Sequence, residues 1–122
     1  MCLCHVSGPA EASAAPANNF IKSSCSVTTY PALCVDSLSV YAERIKQSPQ
    51  QLATTALEVS LNRTKLAQTF LKRLTKLKGL TVKQLAAIRD CLEEVEDSVE
   101  RVSKAWAEMK GMGRAKGEEF TW

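Results

Sequence analysis

The clearest helical pattern of this chain is LAAIRDCLEEVEDSVERVSKAWAEM, residues 85–109, and the other elements are interpreted from it outward. Apolar side chains recur in it at intervals of three and four residues without a break. Because an α-helix turns once every ~3.6 residues, this spacing places them all on one stripe. A helix with an apolar stripe is stable only when partners cover that stripe. The stripe consists of Leu85, Ile88, Leu92, Val95, Val99, Val102, Trp106 and Met109.

The composition excludes several classes of protein. With 122 residues the chain forms one small domain at most. It contains no run of 18 apolar residues, so we predict no membrane partner. A net charge of +3 and the lack of a basic, aromatic-rich motif give no reason to expect nucleic acid. The sequence has no serine elbow or phosphate loop, and its single histidine, His5, lies near the start of the chain. We therefore predict neither catalysis nor a bound cofactor.

Residues 1–17 resemble a leader more than a folded element. They are small and rich in Ala and Ser, but a secretory signal would also need a basic start and a continuous apolar core. We expect this segment to be disordered, and we expect no intact signal peptide. Cys2, Cys4 and His5 lack a fourth ligand for a tetrahedral metal, so we predict no metal site there.

Residues 18–47 predict a short helical hairpin. Residues 18–24 suit one or two helical turns, and Pro31 suits the first position of a second helix that runs to about Lys46. Cys25 and Cys34 then lie on two short arms joined by a turn. A disulfide between them would stabilise the hairpin by roughly 2–3 kcal/mol; two reduced structural thiols are the alternative.

Residues 48–78 predict the first long helix. Ser48 suits the N-cap, Pro49 the first helical position and Gln51 the return partner of a capping box. Gly79 is placed to end the helix. Asn62 begins a glycosylation sequon, which matters only in a secreted protein. The predicted apolar face is broad and comprises Leu52, Ala53, Ala56, Leu57, Val59, Leu66, Ala67, Phe70, Leu71 and Leu74.

Residues 81–110 predict the second long helix. Thr81 and Gln84 form a capping-box pattern, and Leu80 and Leu85 are spaced for a hydrophobic staple. Because only a few residues separate the two long helices, we expect them to pack antiparallel. The first is basic and the second acidic, and we expect most of these charges to be solvated. Glycines after Met109 predict the end of the helix, with 111–122 as a linker and the start of another.

Four segments resemble the plant invertase and pectin methylesterase inhibitor family. They are CSVTTYPALC (25–34), DSLSVYA (36–42), SPQQLATTALEVSL (48–61) and CLEEVEDSVERVSKA (91–105), and the likeness covers about 19–122. The resemblance implies an all-α fold, in which a short disulfide-linked helical hairpin precedes an up-down four-helix bundle. It also implies an extracellular, non-catalytic protein of the plant cell wall that blocks the cleft of pectin methylesterase.

Carried over residue by residue, the resemblance makes Cys25 and Cys34 the first disulfide of the family. Cys91 then matches the third family cysteine, whose partner lies on the next bundle helix. No cysteine follows Cys91 in this sequence, and residues 120–122 look like the opening of that next helix. We therefore expect an incomplete bundle, with Cys91 as a half-inward free thiol or a site of intermolecular oxidation.

The candidate partner-binding residues are Glu93, Asp97 and Glu100, which share one exposed helix face. Our hypothesis is that this acidic face meets the cleft of pectin methylesterase; a merely solvated helix face is the alternative. Invertase is the other target that the resemblance implies. Two further possibilities are self-association through exposed apolar seams and polyanion binding by Lys72, Arg73, Lys76 and Lys78.

Overall fold

The computed structural model describes residues 15–115, with side chains through Met112. The predictions for Cys2, Cys4, His5 and residues 116–122 lie outside this range. No strand occurs within it, which confirms the all-α prediction. None of its helices is both long enough and apolar enough to cross a membrane. The elements are α1 (Ala15–Cys25), α2 (Pro31–Leu38), a 3-10 turn (Ser39–Tyr41), α3 (Ala42–Ile45), α4 (Pro49–Leu74) and α5 (Val82–Ala115).

The chain divides into two compact units, Met1–Ala56 and Leu57–Trp122, with the boundary inside α4. In the first unit, α1 contacts both α2 and α3, and a disulfide joins Cys25 to Cys34 at the end of α1 and the start of α2. This is the predicted stapled hairpin. Its fully or nearly buried side chains are Ala17, Ile21, Cys25, Leu38, Ala42, Ile45 and Thr55.

Helix α1 is longer than predicted, because it begins at Ala15 rather than Asn18. Residues 15–17 are therefore helical and not disordered, and Ala17 is buried. The correction has a physical reason. Alanine has the best helix propensity, and proline is tolerated in a first helical turn, so the sequence APA can start a helix once its apolar side has a surface to cover.

The second arm of the hairpin is interrupted where a continuous helix was predicted. The α-helix stops at Leu38 and gives way to a 3-10 turn, after which α3 adds one more turn. The hydroxyl of Ser39 donates a 2.6 Å hydrogen bond to the carbonyl of Val35, which competes with regular helix geometry. Leu38, Ala42 and Ile45 are buried as predicted, but Leu33 is 57% exposed.

Helix α4 has the predicted Ser48 cap but not the predicted return bond from Gln51, because the Ser48 N–H donates to the Ile45 carbonyl at 3.0 Å. The helix ends before Gly79. The backbone N–H of Gln51 donates to Oγ of Ser48 at 3.1 Å, and Pro49 is the first helical residue. At the other end, Thr75 Oγ1 donates to the Lys72 carbonyl at 2.6 Å, which satisfies a carbonyl that the helix end leaves free. Gly79 lies in the connection, at a φ of 84° that favours glycine.

Helix α5 has the predicted start and a later end. Thr81 and Gln84 form a capping box: the Thr81 N–H donates to Oε1 of Gln84 at 2.9 Å, and the Gln84 N–H donates to Oγ1 of Thr81 at 3.0 Å. The prediction that glycine ends this helix after Met109 is wrong, since α5 runs through Gly111 to Ala115. A glycine inside a helix costs only about 1 kcal/mol and keeps its N–H donor, so it weakens the helix without breaking it.

The apolar stripe of α5 is confirmed residue by residue. All eight predicted side chains are buried or half-buried, and the charged residues between them are exposed. Trp106, near the end of the stripe, has its indole Nε1 buried without an acceptor. The ammonium group of Lys110 lies 4.3 Å from the centroid of the Trp106 ring, where a cation–π contact forms.

The second-unit part of α4 covers a narrower face than predicted. Leu66, Ala67 and Phe70 were expected to be buried, but all three are exposed, Leu66 by 68% and Phe70 by 58%. An apolar side chain is buried only where another surface lies opposite it, so helical spacing alone does not decide which apolar residues are covered. Of the predicted face in this part, Leu57, Val59, Leu71 and Leu74 are half-buried. Leu61, Thr64 and Gln68 were not predicted, and they are buried or half-buried as well.

Candidate functional site: the acidic face of α5

The acidic face of α5 consists of Glu93, Asp97 and Glu100, and all three are exposed. They follow one another at intervals of four and three residues, so they project from the same side of the helix. Each residue turns the helix by about 100°, which places this side opposite the half-buried stripe. The three carboxylates span roughly 10 Å along the helix axis. The sequence placed them on one face, and the structure brings them together there.

Sequence reasoning missed two residues of this face. Asp90 is exposed and lies three residues before Glu93, so it extends the face by one helical turn. Arg101 lies four residues after Asp97, and its Nε is 3.1 Å from Oδ2 of Asp97. Both positions follow from the i, i+3 and i, i+4 neighbours of a helix, which is the signal that could have found them.

Most of the negative charge on this segment is not neutralised by the protein. The sequence from Asp90 to Glu100 contains six acids and no base: Asp90, Glu93, Glu94, Glu96, Asp97 and Glu100. Among the described residues, Asp97 is the only one of these six acids that forms an ion pair, and its partner is Arg101. The basic residues of α4 therefore form no ion pair with the acids of residues 90–100, although the two helices carry opposite charges. The face is free to attract a positively charged partner surface.

This acidic face is not a metal site. Among the described residues, no group of three or more His, Cys, Asp or Glu side chains is arranged to hold a metal ion. Carboxylates spread along one helix point away from a common centre, so they cannot surround a cation as a compact oxygen cage does. What the face can do chemically is present spaced negative charges to a partner surface.

The three cysteines outside the first 14 residues are in two different states. Cys25 and Cys34 form the disulfide, with their Cα atoms 5.6 Å apart. Cys91 is a free cysteine and is exposed. The prediction that Cys91 points half inward is therefore wrong. Cys91 lies between Ile88 and Val95 in sequence. On the helix surface it lies at the edge of the stripe, where the covered side of α5 ends.

Comparison with known proteins identifies relatives along nearly the whole described chain. The model of the family described as plant invertase/pectin methylesterase inhibitor matches residues 19–122. A protein named "21 kDa protein" from Daucus carota is 64% identical over 112 residues, which is 92% of this chain and 58% of the carrot protein. "Pectinesterase inhibitor 11" from Arabidopsis thaliana is 41% identical over 104 residues, or 85% of this chain and 52% of that protein.

A third relative is an enzyme by name. "Pectinesterase 1" from Citrus sinensis is 28% identical over 92 residues, which cover 74% of this chain but 16% of the citrus protein. The present chain spans between one half and three fifths of the length of the carrot and Arabidopsis relatives described above. No solved structure matches the chain.

Proposed function

Because this chain belongs to the plant invertase/pectin methylesterase inhibitor family, we propose that it inhibits pectin methylesterase by binding the enzyme as a protein. The observation that carries this proposal is the family match over residues 19–122, together with relatives named as pectinesterase inhibitors. Inhibition of this kind needs no chemistry of the inhibitor's own. It requires a rigid surface that is complementary to the enzyme.

The acidic face of α5 is the part of that surface for which the geometry gives a reason. Glu93 and Glu100 are exposed and have no ion-pair partner among the described residues. A cleft that accommodates an acidic polysaccharide presents positive or hydrogen-bonding groups, and the acidic face would be attracted to the same groups. Such complementarity acts mainly on the association rate and on the choice of partner.

The proposal is tested by charge reversal with a matched control. We expect the Glu93→Lys/Asp97→Lys variant to raise the inhibition constant against pectin methylesterase by about tenfold at low salt, with most of the change in the association rate. The control variant, Asp36→Lys/Glu43→Lys, changes the net charge equally at exposed acids of the first unit. If the unchanged chain inhibits the enzyme and neither pair of substitutions changes the inhibition constant, the acidic face is excluded as a binding surface. If the unchanged chain does not inhibit the enzyme, the proposed function itself is refuted.

We also propose an extracellular location. The Cys25–Cys34 disulfide supports it, because disulfides persist in oxidising compartments such as the cell exterior. Asn62 is exposed on α4, so its sequon is accessible to glycosylation on that route. Fractionation of plant tissue with an antibody to the chain would test this location, and recovery confined to the cytosolic fraction would contradict it.

Self-association is a second candidate function that one observation favours. Leu66 and Phe70 lie one helical turn apart on α4 and are both more than half exposed, which costs free energy unless another surface covers them. Two copies that face each other through this seam would bury it. We expect light scattering to give a dimer mass that Leu66→Glu/Phe70→Glu reduces to a monomer mass. Val40→Glu, at another exposed apolar residue, is the control.

A monomer mass at all concentrations would exclude self-association.

Invertase is the remaining alternative target, and no described contact distinguishes it from the esterase. Parallel assays of the purified chain against both enzymes would make that distinction, and inhibition of invertase alone would replace the proposed partner.

A further inference from the structure

The strongest charge feature of this chain is not the acidic face but the segment before it. From Val59 to Arg89 the sequence contains no Asp or Glu. Every basic side chain in this segment is exposed, and none forms an ion pair among the described residues. The basic residues are Arg63, Lys65, Lys72, Arg73, Lys76, Lys78, Lys83 and Arg89.

Five of these cations lie within the twelve residues 72–83, around the connection between α4 and α5. They occupy the last turn of α4, the connection and the first turn of α5, and we call them the cationic end: Lys72, Arg73, Lys76, Lys78 and Lys83. The connection that carries Lys76 and Lys78 is ordered by backbone hydrogen bonds, such as Lys76 N–H to the Arg73 carbonyl at 3.0 Å. These charges are therefore held close together on a defined backbone.

Helix stability explains only part of this arrangement. Lys72 and Arg73 lie in the last turn of α4, where a cation stabilises the negative end of the helix dipole. Lys83 lies in the first turn of α5, where the dipole is positive and a cation is unfavourable; that turn contains no acid. Lys78 adds its charge just before the same helix start. An anion bound at the cationic end would remove this repulsion.

We propose that the cationic end binds a linear polyuronate, the class of acidic polysaccharide that pectin methylesterase produces when it removes methyl esters. This inference rests on the proposed function, because the polymer is the product of the proposed target enzyme. Binding it would hold the inhibitor where the enzyme has already acted. Each sugar of a polyuronate carries one carboxylate, and Lys and Arg side chains bind carboxylates through charge-assisted hydrogen bonds.

The surroundings of the cationic end favour a narrow polysaccharide over other polyanions. Residues 72–83 contain no aromatic side chain on which a nucleic-acid base could stack. The acids of α5 begin at Asp90, roughly 10 Å beyond Lys83 along the helix, so a flat anionic membrane would meet both signs of charge. Leu77 and Val82 are 55% and 87% exposed, and they can pack against the C–H faces of sugar rings.

The test measures binding of the full chain to polygalacturonate without any enzyme present. We expect binding to polygalacturonate of low ester content, little binding to highly methyl-esterified pectin, and a steep loss of affinity between about 50 and about 200 mM salt. The variant Lys72→Gln/Lys76→Gln/Lys78→Gln should lose about tenfold or more in affinity, because three of the charge contacts to the polyanion are removed. Circular dichroism should show that its helix content is unchanged.

The matched control is Lys22→Gln/Lys46→Gln/Lys104→Gln, which removes the same number of positive charges from exposed positions elsewhere. We expect it to keep its affinity within about twofold, since each charge acts only within a Debye length. Equal losses in both variants, equal binding to esterified pectin, or stronger binding to phosphatidylserine vesicles would each overturn the proposal. Because the enzyme is absent, a negative result leaves inhibition untouched, and a failure to inhibit leaves a positive binding result intact.

Discussion

Oδ2 of Asp97 lies 3.1 Å from Nε of Arg101, one helical turn further along α5. Both side chains are more than half exposed, so the pair contributes only about 0.3–0.5 kcal/mol to stability. Its larger effect is on the charge of the acidic face, because it partly neutralises Asp97. Glu93 and Glu100 therefore carry most of the charge that a partner would encounter.

Removing Arg101 should strengthen this face. We expect Arg101→Gln to increase the association rate with pectin methylesterase by roughly two- to threefold at low salt, since it exposes the full charge of Asp97. Stopped-flow or surface-based kinetics would measure the rate. Lys22→Gln changes the net charge equally in the first unit and should leave the rate unchanged. A decrease for Arg101→Gln would mean that Arg101 itself contacts the enzyme.

The hairpin disulfide should account for a measurable share of stability. Replacing both cysteines, as Cys25→Ser/Cys34→Ser, should lower the free energy of unfolding by about 2–3 kcal/mol, because the unfolded chain regains the entropy of an open loop. Urea denaturation followed by circular dichroism measures this change. Cys91→Ser should have no effect, since Cys91 is free and exposed. Equal stability of the double variant and the unchanged chain would show that packing alone holds the hairpin.

Two substitutions at Trp106 separate the contribution of its ring to stability from that of its indole N–H. Trp106→Phe removes an indole N–H that is buried without an acceptor, so we expect stability to be unchanged or slightly higher. Trp106→Ala removes the ring from the stripe and should cost about 2 kcal/mol or more. Both variants are compared by thermal and urea unfolding. A loss with phenylalanine as large as that with alanine would indicate that the N–H has a partner in solution.

The capping box of α5 should be worth more than its exposed position suggests. Thr81→Ala removes the acceptor of the Gln84 N–H and should cost about 1 kcal/mol. Thr69→Ala is the control, because Thr69 lies inside α4 and donates only to the carbonyl of Lys65. Alanine has the higher helix propensity there, so the control should be neutral or stabilising. Equal losses in the two variants would argue against a specific capping effect.

Local patterns predicted local structure well. The eight-residue stripe of α5, the Ser48 cap and the Thr81–Gln84 capping box depend on residues within a few positions of one another, and the structure confirms each. The acidic face followed from helical spacing in the same way. Errors occurred where the environment decides, as at Gly111, where a glycine stays helical because the rest of α5 continues through it.

Neighbouring residues alone define the caps of the two long helices, the covered side of α5 and its acidic side, because 3.6-residue periodicity and end capping are local properties. Which apolar side chains are covered depends on the tertiary structure. Leu33, Leu66 and Phe70 have the same chemistry as buried residues, yet they are exposed. The reason is that burial depends on whether a second surface lies opposite a side chain, and no local pattern contains that information.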